Sequence, residues 1–268
     1  MPSAVLDDRG VVRVAGEDAR AFLQGLVTSD MDKVAPGAAA YGALLSPQGK
    51  IIVDFIVSED AGALVLDCPA ALAADLAKRL RFYRLRARID IDDQSAARCV
   101  VARWGADASG TPDPRDPRLG TREIVSREGA MANRADLAAY AAHRIALGIP
   151  KGGADFGYGD AFPHEANMDL VHGVDFKKGC YVGQEVVSRV EHRGTARKRI
   201  ARVTFEGAPA VGAAIMAGAA EIGTLTSAGA GQGLAAIRVD KASEAIAAGM
   251  TISVDGRPAT LALPAPRG

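Results

Sequence analysis

The sequence predicts an α+β protein with a large N-terminal body and a small β-barrel at its C-terminal end, on three observations. Up to about residue 195, helix-period and strand-period stretches alternate irregularly, as in mixed sheets with helices packed on them. Beyond that point six short apolar stretches follow, at residues 200–205, 213–216, 220–226, 234–239, 251–254 and 259–263, separated by glycine-bearing turns without long helices, the pattern of a small barrel. Between the two lies the basic cluster Arg193-Gly194-Thr195-Ala196-Arg197-Lys198-Arg199, which reads as a domain boundary. Residues 1–195 are therefore taken as the body, two interleaved α+β subdomains with one, roughly residues 41–130, inserted in the other; residues 196–268 are the barrel.

Within the body, residues 11–14 form a first strand. Residues 18–27 follow as a short helix with Ala19, Phe22, Leu23 and Leu26 on one face. Residues 41–45 and 50–58 make a hairpin across Ser46-Pro47-Gln48-Gly49. Asp54 interrupts the apolar run of that second strand, and a carboxylate there is costly without a partner. Outward alternation, an arginine partner and a role as a site carboxylate all remain open for it.

Residues 63–67 are a strand and 69–80 a helix with Pro69 at its start. Arg79, Arg81, Arg84, Arg86 and Arg88 then crowd around Phe82 and Tyr83. Because Asp90, Asp92 and Asp93 follow at once, a cationic helix end running into a strand with an exposed basic edge is preferred over a nucleic-acid contact. Residues 98–104 are a strand and 105–120 a loop rich in Gly, Pro, Asp and Ser. Residues 135–147 form an amphipathic helix stopped by Gly148-Ile149-Pro150. The glycine-rich residues 151–162 carry Phe156, Tyr158 and Phe162, as a ligand-gripping loop or a plain surface loop would.

Net charge is formally zero, with the signs well mixed, so nothing in the overall balance asks for nucleic acid or an anionic membrane. No apolar run reaches the length of a membrane span. The opening Met-Pro-Ser-Ala-Val-Leu-Asp-Asp-Arg carries acids where a signal or transit peptide would be basic, which places the protein in the cytosol.

Three cysteines at wide spacing are neither a disulfide framework nor a zinc set. Cys68 and Cys99 sit beside apolar strand residues and belong in the core. Cys180 is different: Gly179 and Gly183 flank it, Lys177 and Lys178 precede it, and residues 182–190 read as a helix that would begin next to it. A helix N-terminus and two ammonium groups would stabilise a thiolate, so Cys180 is the candidate working group, with Lys178 activating it. A Cys/His pair with His164, His172 or His192 lacks an evident third residue to orient the base.

Lys178-Gly179-Cys180-Tyr181-Val182-Gly183-Gln184-Glu185 resembles the signature of the YgfZ proteins, folate-binding relatives of the glycine-cleavage aminomethyltransferase (T-protein) that serve iron–sulfur cluster assembly. Residues 16–30 and 116–122, Arg144 to Pro150 and Pro163-His164-Glu165-Ala166-Asn167 are similar to the same family, so the resemblance spans nearly the whole chain. It implies the T-protein-like fold, three modules around a cavity open to tetrahydrofolate or a derivative, with Cys180 near the mouth. Arg144, Phe162, Glu165, Tyr181, Gln184 and Glu185 would shape that cavity, with Asp54 as a folate-facing acid and Cys180 for thiol chemistry or transient contact with a cluster or partner.

Folate and iron–sulfur client or assembly proteins are the implied partners, with no stably bound metal, nucleic acid or membrane. Some of the arginines at 79–88 would answer a polyglutamate tail. Two departures stand out. Val53 occupies the place of the first of two adjacent aspartates in T-proteins, and the Tyr-Thr-Gly-Glu turn whose glutamate reads the pterin is absent. Two alternatives therefore accompany the leading reading: an aminomethyltransferase making methylene-tetrahydrofolate, and a folate-independent thiol enzyme or scaffold.

Overall fold

The computed structural model of the protein describes residues 2–105, 109–130, 137–194 and 196–265. The body is built on two antiparallel sheets. The first joins β1 (Ser3–Leu6), β7 (Arg98–Arg103), β9 (Thr121–Ser126) and the short β8 (Thr111–Pro112), in the order β1-β7-β9-β8. The second joins β2 (Arg9–Ala15), β3 (Ala40–Leu45), β4 (Ile51–Asp60), β5 (Ala63–Pro69) and β6 (Asp90–Asp93), in the order β3-β4-β5-β2-β6. Each sheet thus takes a strand from before residue 41 and others from after it, and no change of sheet falls at residues 41 or 130.

The second sheet is buried on both faces, so its strands read as apolar runs instead of a clean alternation. Val12, Val14, Val53, Phe55 and Leu66 point to the helix side, against Leu76 and Leu80 of α2 (Ala70–Tyr83). On the other face, Tyr41, Leu45 and Ile56 pack against Met168, Val174 and Tyr181. Val11 and Val65 meet Leu6 and Val100, which joins the two sheets. The smaller helices are α1 (Ala19–Gln24), α3 (Arg127–Ala130), α4 (Leu137–Leu147) and α5 (Gln184–Arg193).

A closed barrel follows: β10 (Lys198–Phe205), β11 (Ala214–Ala217), β12 (Ala220–Ala228), β13 (Gln232–Arg238), β14 (Ile252–Val254) and β15 (Arg257–Ala262), in the order β10-β13-β12-β11-β14-β15. All six stretches singled out by their alternation are strands. The helix α6 (Val239–Ala247) between β13 and β14 was not expected, and Ala242 and Ala245 bury its inner face in the barrel core. Strands β1, β6, β8 and β9 also escaped the sequence reading, β8 falling in the stretch expected as a loop. So did the turn at residues 84–88, expected as strand, where Leu85 adopts a left-handed φ of 45°. The first two residues of the helix expected at 135–147 lie outside the described residues, as do residues 106–108 of the loop expected at 105–120.

Candidate functional site

Cys180 sits on a loop that the body holds firmly on one side. Oδ1 of Asp175 accepts hydrogen bonds from the backbone N–H groups of Lys177 (2.8 Å) and Lys178 (3.1 Å), and Oδ2 pairs with Lys33. The Asp175 N–H donates to the Thr28 carbonyl, and the Thr28 hydroxyl donates to the Gly173 carbonyl (2.6 Å) while accepting from the Ala43 N–H. The buried Lys178 ammonium donates to the carbonyls of Gln24, Val27 and Ser29 at 2.7, 2.7 and 2.8 Å, and burial pulls it down to about 8.

These contacts correct the role expected for Lys178. Its three donors are spent on the end of α1 and the segment after it, so it fastens the loop and has no donor left for the thiol. Cys180 itself is exposed, and the space around Gly179 is open. Gly183, at φ 81°, is the N-cap of α5, so the helix starts two residues later than expected and Cys180 lies ahead of its first turn, where the dipole's influence falls off. The glycine is required there: a Cβ would lie 2.6 Å from the Ser46 carbonyl oxygen in the β3–β4 turn. Tyr181 is buried beside that anchor, its hydroxyl pushed up to about 12 by burial and Asp175.

Asp54 lies deeper, 3% exposed, on the same sheet face as Tyr41. The Tyr41 hydroxyl donates to Oδ2 at 2.9 Å and the Tyr158 hydroxyl to Oδ1 at 2.5 Å. Burial, together with the carboxylate, raises both phenols well above their ordinary range. Beside this trio runs an ionic cluster. Asp67 pairs with Arg9 (2.5 Å) and Arg122, and Asp113 with Arg122 (2.8 Å) and Arg115 (2.7 Å). The Arg115 guanidinium sits 5.7 Å from the Tyr41 ring centroid, linking the two groups. Asp54, Asp67 and Asp113 thus balance Arg9, Arg115 and Arg122, three against three. Asp54 is neither outward-facing nor bonded directly to an arginine; two phenols hold it.

A cavity of about 480 Å³, within the range of small-molecule sites, opens between residues 172–177 and the body; Cys180 follows that segment and is not among the cavity's lining residues. Tyr41, Val174 and Phe176 give it apolar faces, and Lys33, Asp175 and Lys177 a charged rim. Ser29 also lines it, but its buried hydroxyl lies against Gly42 and has no hydrogen-bond partner among the described residues. Tyr41 connects this cavity to Asp54.

The other residues singled out from the sequence do not gather here. Arg144 is buried 7% exposed, donating to Asp155 (2.7 Å), the Ile149 carbonyl and the Ser227 hydroxyl, so it ties α4 to the barrel. Phe162 lies under the Lys50 ammonium, 3.6 Å from the ring centroid. The Glu165 carboxylate caps the Phe162 N–H at 2.9 Å. The Gln184 N–H returns to the Tyr181 carbonyl, and the exposed Glu185 pairs with Arg189 one turn on. His164, Asp169 and Glu191 offer ligand atoms within 4.8 Å of one another, the one group able to hold a metal among the described residues. Arg199 already pairs with Asp169 and His164 Nε2 with Glu191, while the buried His164 Nδ1 has no hydrogen-bond partner among the described residues. Tyr41, Arg9, Arg115, Arg122, Asp67 and Asp113 were missed. The only local signal was Pro112-Asp113-Pro114-Arg115, whose acid and base two residues apart pair with each other.

A T-protein-like body followed by a closed six-stranded barrel defines the class, and the comparisons agree. The GCVT N-terminal domain matches residues 7–111, and the CAF17 C-terminal beta-barrel domain matches residues 197–266. The crystal structure of aminomethyltransferase T of the Bartonella henselae glycine cleavage system covers 96% of this chain and 83% of its own, with a TM-score of 0.77 at 16% identity, a likeness of fold.

The mitochondrial iron–sulfur cluster assembly factor IBA57 of Mus musculus is 34% identical over 260 residues, spanning 85% of this chain and 72% of its own. That of Homo sapiens is 35% identical, spanning 75% and 65%, and the homolog of Mycosarcoma maydis 32%, spanning 75% and 57%. The chain belongs to the CAF17/IBA57 family of iron–sulfur cluster assembly factors. It spans between about half and two thirds of the length of several relatives, 57% and 52% for the Mycosarcoma maydis and Neurospora crassa homologs.

The resemblance read around Cys180 therefore stands at the level of a cluster assembly factor with an aminomethyltransferase-like fold, and the matched families carry the names CAF17 and IBA57 instead of YgfZ. The cytosolic placement is overturned, since these relatives are mitochondrial. Where a protein resides is set by addressing signals, and acids at the start of this chain were no measure of them.

Proposed function

We propose that the protein assists iron–sulfur cluster assembly by presenting Cys180 to a cluster held jointly with a partner assembly protein, and that the adjoining cavity takes a tetrahydrofolate-type ligand. One observation carries the first part: the single exposed cysteine stands on a loop riveted to the body by Asp175 and Lys178, while Cys68 and Cys99 are buried. A lone thiolate supplies one ligand, so a cluster at Cys180 needs the partner's ligands to complete its coordination. The cavity supports the folate part. Flat aromatic and apolar walls at Tyr41 and Phe176 suit a pteridine, and Lys177 on the rim suits an anionic tail.

Aminomethyl transfer is the weaker reading. It needs an acid free to act at the folate, and both oxygens of Asp54 are engaged by tyrosines, with Val53 beside it.

The experiment is a pair of measurements on wild-type protein and Cys180→Ala. Calorimetry with tetrahydrofolate is expected to give binding in both proteins, and Ala39→Trp, which fills the cavity from its half-buried wall, to remove it. Cluster transfer with an assembly partner is expected to fail in Cys180→Ala alone. Transfer at wild-type rate by Cys180→Ala would refute the thiol role. Absence of heat with tetrahydrofolate in the wild type would refute the folate role and leave the thiol role standing.

A further inference from the structure

The C-terminal end of α2 carries a patch that the proposed function does not use. Phe82 is 82% exposed and Leu85 90%, the two most exposed large apolar side chains among the described residues. Leu76, Ala77 and Leu80 bury the inner face of the helix, which leaves Phe82 pointing outward. Leu85 follows it in a left-handed turn that favours glycine, its side chain extended into solvent. Around them, Lys78, Arg84 and Arg86 are exposed and form no ion pair among the described residues, and residues 76–89 contain no Asp or Glu. A neutral chain thus bears a local tip that is both apolar and cationic.

We propose that this tip docks on an anionic lipid surface, with Phe82 and Leu85 entering the interface and Lys78, Arg84 and Arg86 meeting the headgroup phosphates. Charge complementarity selects an anionic partner. The shape selects lipid over protein. Side chains exposed by more than four fifths stand clear of any groove, and a bilayer accepts such a protrusion without a matching cleft, whereas a protein partner must supply one. The long Arg and Lys stems can lie along the apolar pair while their charged heads stay in the headgroup layer.

Sedimentation of the full chain with vesicles tests this. Binding is expected to vesicles of equimolar phosphatidylcholine and phosphatidylglycerol, to weaken with salt, and to be absent with phosphatidylcholine alone. Because each cation near such a surface contributes about fivefold, Arg84→Gln with Arg86→Gln is expected to weaken binding roughly thirtyfold. Phe82→Ser with Leu85→Ser is expected to abolish it while leaving the melting temperature within a few degrees. Cys180→Ala is expected to bind as the wild type does, which separates this surface from the thiol reading. Failure of the wild type to bind the anionic vesicles, or equal binding by Phe82→Ser/Leu85→Ser, overturns the proposal. So does a result in which the tip variants lose a complex with an acidic assembly protein while vesicles are ignored, which would make the tip a protein-docking site.

Discussion

The body and the barrel bury their interiors in opposite ways. The barrel core is apolar throughout, from Val203 and Phe205 through Leu225 and Ile237 to Val254, and no charged residue among the described ones of β10 to β15 is buried. The body encloses Asp54, Asp67, Asp113, Arg144, Asp155, Asp169 and Lys178. An apolar core gains from every buried carbon and loses in proportion to what is removed, whereas a buried ionic cluster holds only while every member has its partner. The body thereby keeps polar groups next to its cavity at the cost of sensitivity; the barrel gives up that chemistry for a simple core. The two meet at Arg144, whose partners Asp155 and Ser227 belong one to each.

The sharpest way to break this contrast is Asp113→Ala. It leaves the Arg115 and Arg122 guanidiniums partly uncompensated, and urea denaturation is expected to show a loss of about 3–5 kcal/mol. The acid limb tests the same residue. Burial pushes the Asp113 carboxyl up, but Arg115 and Arg122 outweigh it and hold it well below the usual 3.8. Its folded value is depressed, so its contribution is complete above the unfolded value and is lost as pH falls toward the folded one. Asp113→Asn is expected to flatten the fall in stability below about pH 4, and an unchanged acid limb would remove the cluster from the account.

In the barrel, Leu225→Ala is expected to cost about 3 kcal/mol through the cavity it opens, equally at low and high salt. A strong salt dependence there would erase the distinction between the regions. Lys178→Gln leaves three carbonyls short of a donor and is expected to cost about 2 kcal/mol, with faster hydrogen exchange over residues 173–183. An undisturbed loop would show that Asp175 suffices to fix it. Glu185→Ala, on an exposed helix pair, is expected to change stability by only about 0.4 kcal/mol, so any larger effect on cluster transfer would mark a contact with a partner.

What the sequence determined by itself was local or periodic. Two-residue alternation between glycines marked every barrel strand. The hairpin turn at Ser46-Pro47-Gln48-Gly49 marked the pairing of β3 with β4. The glycines and lysines around Cys180 set it apart from Cys68 and Cys99, and the same segment led to an iron–sulfur cluster assembly family. Strand β1 was lost because it is only four residues long and β9 because it mixes charged and apolar residues without a run; both are held by β7 pairing between them.

Tertiary structure alone decided the direction and partners of the polar side chains. Lys178 looked like an activator of its neighbour Cys180, yet its acceptors lie about 150 residues away at Gln24, Val27 and Ser29. Asp54 meets Tyr158 across 104 positions, and Asp67 meets Arg9 across 58. Periodicity records which face of an element is apolar, because that face repeats every few residues. It carries no record of which distant donor closes on a buried carboxylate, because that choice is made only when two sheets, a helix and a loop come together and the desolvated charge must find whatever partner is within reach.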